Sequence, residues 1–208
     1  METTTFFYFL TASILLTLAP GPDNLYLLTK SLSSGAKSGV ILSAGLASGI
    51  IFHTFLVMVG VAAIIQNSEF AMNLLKIFGA AYLLFLAFKS FRAGRRGEKI
   101  SMKKSDAHSA YFEIYRRGVL MNVLNPKVLL FFLAFLPQFV NLSSDSASFQ
   151  IIFLGFTFAV QAFLIFSAIA IFAGKVRKII LKKKNLGQIF SYVEAAVLTF
   201  IAVTLIFL

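Results

Sequence analysis

Ionisable side chains are scarce within the long apolar stretches of this sequence, and two of them stand beside prolines: Asp23 in "LAPGPDN" and Lys127 in "VLNPK". The chain has only 4 prolines, in two clusters: Pro20 and Pro22, then Pro126 and Pro137. Each cluster predicts a broken helix. In the second, Asn125 has the character of an N-cap and Pro126 that of a first helical residue. A half-helix starting there turns free N–H groups and a positive dipole end inward, which suits an anion. In the first cluster Gly21 permits an unusual backbone, Pro22 starts the following half-helix, and Asp23 and Asn24 fall in its first turn. A carboxylate so placed caps its own helix and still receives a proton or an ammonium group. The polar residues of both breaks form one candidate substrate site: Gly21, Pro22, Asp23 and Asn24 with Asn122, Asn125, Pro126 and Lys127. A plain kink with Asp23 as a cap is the structural alternative, and two matched breaks that each carry an ionisable group weigh against it.

The elements that must position these residues are membrane helices. Of 208 residues, 59% are hydrophobic. Apolar runs of membrane-crossing length extend near Thr5 to Lys30, Gly39 to Gln66, Phe70 to Phe91, Gly118 to Val140, Phe149 to Gly174 and Ile189 to Leu208. About 20 apolar residues cross the hydrocarbon core, and runs of this length exceed barrel strands, so an all-α integral membrane protein of six transmembrane helices is expected. Spans one and four are the broken ones. The N-terminus has no basic residue before its apolar run and does not resemble a cleaved signal peptide. With no cysteine, disulfides and thiol chemistry are excluded.

The formal charge of +11 is arranged as a topology signal. Basic residues crowd between Lys89 and Arg117 and between Lys175 and Lys184, with Lys30 and Lys37 in the first link, whereas "QNSEFAMN", "PQFVNLSSDSASF" and both termini carry none. The positive-inside rule then places the three basic links in the cytoplasm, against anionic lipid headgroups, and both termini outside. No nucleic-acid motif accompanies the charge, so no nucleic-acid partner is expected.

Pro22 and Pro126 lie 104 positions apart, half of 208. Two three-helix halves, 1–104 and 105–208, are therefore expected. An odd number of spans per half inverts the second relative to the first, and such inverted repeats seat the substrate near the midplane between interrupted helices. The same offset pairs Asp23 with Lys127 across the axis, where each charge makes the other tolerable.

These segments carry a family resemblance. "LAPGPDNLYLL", the glycines of "SGAKSGVILSAGLASG", "LLKIFGAAYLLFLAFKSFR" and "GVLMNVLNPKVLLFFLAFLPQF" resemble, in order, the LysE/RhtB family of bacterial amino-acid exporters. Gly21, Pro22 and Asp23 match that family's PGPD element; Asn125, Pro126 and Lys127 match its NPK element. The resemblance implies a multi-pass protein of the bacterial cytoplasmic membrane that exports an amino acid or close derivative in exchange for protons, without a cofactor. The substrate carboxylate is then expected at Asn125 and Pro126 with Lys127 nearby, and its ammonium group or the coupling proton at Asp23. The last span departs from the family pattern by lacking glycines and carrying Glu194, which on the pathway would favour a cationic substrate.

Other residues have two readings each. His53, about halfway along span two, is a proton-coupling candidate or a hydrogen-bonded packing histidine. Glu194 is a second coupling candidate, or the interfacial partner of a basic link. Gln161 is expected to be interhelical glue. Gly35, Gly39, Gly45 and Gly49 have small-residue spacing that suits close packing or a homodimer face, and Gly79, Ala80 and Ala81 suit packing. An intramembrane hydrolase using Ser48 and His53 is disfavoured, because residues five apart on a helix point roughly 140° apart. His53 and His108 are the only histidines and make no metal set. A passive channel for small solutes is the remaining rival.

Overall fold

A computed structural model of the chain describes residues 3–60, 69–97, 110–142, 144–182 and 186–207. Among the described residues seven α-helices carry the fold: α1 (Thr3–Leu18), α2 (Pro22–Gly60), α3 (Glu69–Arg95), α4 (Tyr111–Val123), α5 (Pro126–Leu130), α6 (Ala147–Lys182) and α7 (Leu186–Phe207). A π-helical turn, Phe131–Phe135, and a 3-10 turn, Leu136–Phe139, continue α5. No strand occurs among the described residues. Among the described residues four helices are long and apolar enough to cross a membrane, and a fifth span results if α4 and the Pro126–Phe139 segment, bent by 49°, are taken together. Large apolar side chains such as Phe78, Phe88, Phe149, Phe156 and Phe207 are exposed, as lipid-facing residues must be.

The sequence expects separate first and second spans, with a link near Lys30 and Lys37. In the structure the 39 residues of α2 are two helices joined at a kink, where the backbone leaves the helix at Gly35 (φ 85°, ψ 164°), between Lys30 and Lys37. A straight helix of that length would run about 58 Å, nearly twice the hydrocarbon thickness. The turn falls at Gly35 because only glycine tolerates that conformation at a cost below about 1–3 kcal/mol. Its neighbourhood is open, so Gly35 is a turn residue and not the packing residue its spacing suggested.

The other small residues do pack. A Cβ on Gly118 would stand 2.6 Å from the carbonyl oxygen of Leu42, one on Gly49 would stand 2.7 Å from the Cβ of Asn122, and one on Gly45 would collide with the Tyr115 carbonyl. Helix α2 therefore lies backbone to backbone on α4. Gly39 closes on Ala170 and Gly155 on Thr54, which brings α6 against α2. Gly79 closes on Ala134, and Ala80 is buried, whereas Ala81 is exposed and takes no part. The small-residue face of span two is thus occupied within the chain.

Pro137 lacks the N–H that would serve the Leu133 carbonyl, and the ladder around it widens to the π turn and then tightens to the 3-10 turn. This irregular segment is held by aromatic packing. Phe131 stacks on Phe135 at 4.7 Å, Phe132 meets Phe158 of α6 edge-on at 5.1 Å, and Phe139 meets Phe9 of α1 at 5.5 Å. The expected boundary between halves, His108 and much of the second basic link lie outside the described residues.

Candidate functional site

Helix α1 stops where Pro20 withholds an N–H and biases Ala19 away from helical dihedrals. Its last carbonyls are left without helical partners and are taken by side chains from both breaks. The Asn24 amide donates to the carbonyls of Thr17 (3.1 Å) and Ala19 (3.0 Å). The Lys127 ammonium donates to the Ala19 carbonyl (3.2 Å) and more weakly to that of Leu16 (3.5 Å). A cation at the negative end of a helix is favourably placed.

Two residues on, the chain begins α2 at Pro22, with the Leu25 N–H donating to the Gly21 carbonyl at 3.0 Å. Asp23 lies in the first turn, at the positive end of the helix, and is buried. The second break mirrors this chemistry. The Asn125 N–H donates to the Asn122 carbonyl (2.9 Å), and Pro126 opens α5. Asn125 is the N-cap that its residue type requires: its side-chain oxygen accepts from the Lys127 N–H at 3.0 Å.

A further contact joins the breaks. The Asn125 amide nitrogen donates to a carboxylate oxygen of Asp23 at 2.6 Å. Asn125 thus caps its own helix with one end of its amide and holds Asp23 with the other. Asp23 and Lys127 are neighbours at one site, within electrostatic range of each other, but the hydrogen bond that reaches Asp23 from the second break comes from Asn125. Gly21, Asp23, Asn24, Asn122, Asn125 and Lys127 all line one cavity, together with Thr17. Leu16, Ile50, Val128, Phe158 and Phe166 form its apolar wall. Its volume is ≈ 20 Å³, enough for about one water molecule and far below the roughly 300 Å³ from which ligand pockets start. The site is occluded, and a substrate enters only if the helices part.

Gly21 has a reason different from the one its sequence suggests. Gly35 and Gly97 are the glycines with positive φ among the described residues, so Gly21 adopts no special backbone. It provides room instead: a Cβ there would lie 3.3 Å from the Lys127 ammonium and 3.5 Å from a Glu194 carboxylate oxygen.

The remaining candidates stand around the cavity. Pro22 and Pro126 act through the backbone as helix starts. His53 is fully buried and lies at 3.0 Å from the Asn122 carbonyl, an acceptor only, so its Nε2 carries the hydrogen and donates. Ser48 is engaged elsewhere, accepting from the Tyr115 hydroxyl at 2.9 Å. The serine and histidine form no catalytic pair. The Glu194 carboxylate accepts from the Ser90 hydroxyl of α3 at 2.9 Å; the basic side chains between Lys175 and Lys184, its alternative partners, lie outside those described.

Two functional neighbours escape a reading of the breaks alone. Gln161 of α6 donates to the Thr17 hydroxyl at 2.9 Å, tying α6 to the frayed end of α1 as interhelical glue. Ser90 carried no signal of its own, yet it lies 104 positions before Glu194, the same offset that separates Pro22 from Pro126. Applying that offset to Glu194 would have found it.

An all-helical, multi-pass membrane protein that brings an acid, three amides and an ammonium group together at two interrupted helices has the construction of a membrane transporter. Residues 14–208 match the family of LysE type translocators, and the chain belongs to that family. It is 28% identical over 188 residues to the leucine efflux protein of Enterobacter sp. (strain 638), an overlap of 88% of this chain and 86% of that protein. To the leucine efflux protein of Salmonella choleraesuis (strain SC-B67) it is 26% identical over 181 residues, covering 87% and 84%. No solved structure matches.

Proposed function

We propose that this chain is a secondary transporter that exports an apolar amino acid across the cytoplasmic membrane of a bacterium in exchange for protons. The observation that carries the reading is the polar row Asp23, Asn125 and Lys127 facing an apolar wall in one occluded cavity. The row is complementary to the two charged ends of an amino acid, and the wall of Leu16, Ile50, Val128, Phe158 and Phe166 to an apolar side chain. The names of the relatives point the same way. The substrate carboxylate takes Lys127 and the edge of Asn125; Asp23 takes the ammonium group or, in its absence, the proton. Competition between ammonium and proton for one carboxylate is what exchange requires. Glu194 and His53 stand outside the cavity lining, which favours Asp23 as the coupling residue and an apolar over a cationic substrate.

The architecture is six spans in two inverted halves, 1–104 and 105–208. Helix α1 with the start of α2 forms the first span, and α2 beyond Gly35 the second. Support comes from the shared offset: Asp23 and Lys127 meet in one cavity, and Ser90 bonds Glu194. The basic links face the cytoplasm and its anionic lipids, and both termini lie outside. The chain has no cysteine, so a single one placed at Ser146 is expected to react with an impermeant thiol reagent from outside, and one at Arg96 is not. The reverse pattern would invert the orientation.

In everted membrane vesicles, export is read as uptake. Leucine, isoleucine, valine and methionine are expected to accumulate in preference to lysine and glutamate. Asn125→Ala removes a cap worth about 1 kcal/mol, too little to unfold the protein, and also frees Asp23 from its amide partner. Uptake is expected to fall at least ten-fold at unchanged abundance. Normal uptake by that variant would remove Asn125 from the site.

A further inference from the structure

The charges of the site extend beyond the cavity. Lys127 lies within electrostatic range of two carboxylates, Asp23 and Glu194. Asp23 lines the cavity and is engaged by the Asn125 amide; Glu194 does neither. Glu194 comes from α7, and the Ser90 hydroxyl of α3 fixes one of its oxygens at 2.9 Å. Its other oxygen turns toward Gly21. The Lys127 ammonium reaches the same neighbourhood, 3.3 Å from where a Cβ on Gly21 would stand, against 3.5 Å for the Glu194 oxygen. The two charges therefore lie within about 7 Å of each other beside Gly21. A side chain at position 21 would crowd both.

We propose that Glu194 is an internal stand-in for the substrate carboxylate: it balances the Lys127 ammonium beside Gly21 while the transport site is empty, and yields it when a substrate carboxylate arrives. The inference rests on the reading that Lys127 receives the substrate carboxylate. An ammonium at membrane depth without a counter-charge is costly. The Asn125 amide occupies one oxygen of Asp23, and the substrate ammonium needs that acid. Glu194, held in place by Ser90 and outside the cavity, supplies the balance without filling the space the substrate must enter. Its attraction for Lys127 opposes the pull of the substrate carboxylate, so it weakens binding and speeds release. Glu194 acts through Lys127 and is a positioning residue.

The test is the half-saturation concentration for L-leucine in everted vesicles, with L-leucinamide, which lacks the carboxylate, as the second probe. Glu194→Gln keeps the size and an oxygen that can accept from Ser90, and removes only the charge. Its half-saturation concentration for leucine is expected to fall about 5-fold or more, the scale of a coupling between sites, with a lower maximal rate because release slows. That for leucinamide is expected to stay unchanged. Glu194→Asp is expected to return both values toward the parent. Ser90→Ala, which loosens Glu194 without touching any charge, is expected to shift leucine in the same direction by less, and it carries the test if the Gln variant does not fold. An unchanged or raised half-saturation concentration for leucine, or an equal fall for leucinamide, would overturn the role of Glu194. Parent protein that handles leucinamide as well as leucine would instead overturn the underlying reading that Lys127 receives a carboxylate.

Discussion

Asp23→Asn is expected to abolish proton-driven export while leaving nearly the parental amount of folded protein in the membrane. The substitution preserves the volume of the side chain and an oxygen able to accept the 2.6 Å hydrogen bond from Asn125. What it loses structurally is a charge in the first turn of α2, worth about 1 kcal/mol at most in capping and dipole terms, while Glu194 remains as a counter-charge within electrostatic range of Lys127. What it loses functionally is the group in the cavity that both a proton and an ammonium can occupy. Transport at background level with normal abundance separates these two losses. Full export by the variant would return Asp23 to a helix cap in a kinked span.

Lys127→Ala is expected to cost both export and abundance, and to be the more damaging of the two changes. Three attachments disappear together: the hydrogen bonds to the Ala19 and Leu16 carbonyls, and the balance of charge toward Asp23 and Glu194. Removing one partner of a buried charge pair costs about 3–5 kcal/mol, because the other charge is left uncompensated. Combining Lys127→Ala with Asp23→Asn is expected to recover part of the lost abundance and none of the transport, since one of the two stranded carboxylates is then gone. Abundance effects that simply add would mean that the two residues are not energetically coupled.

The broken helices were legible because the chain spends its prolines in only two places and sets an N-cap asparagine directly before Pro126. Capping and proline geometry are local, so sequence speaks for them. The grouping of Asp23 with Lys127 was legible through the offset of 104, which needs no tertiary knowledge. The part played by Gly21 was not. Its backbone is ordinary, and only the approach of Lys127 and Glu194 from two other helices shows how little room is left there. Gly35 misled for the opposite reason: it sits in register with Gly39 but faces open space, and it is the conformation, φ 85°, that demands glycine. The role of Asn125 as a bridge to Asp23 likewise depends on which way its amide points after α5 has formed.

The central claim is exchange of an apolar amino acid for protons at Asp23, and purified protein in liposomes tests it directly. Proteoliposomes loaded with labelled leucine are expected to release it faster when the outer medium is made acidic relative to the interior. The release should saturate with internal leucine, collapse when an ionophore dissipates the proton gradient, and lose its gradient dependence in Asp23→Asn. Leucine flux that rises linearly with concentration and ignores the imposed gradient would contradict the account and assign the protein to passive channels.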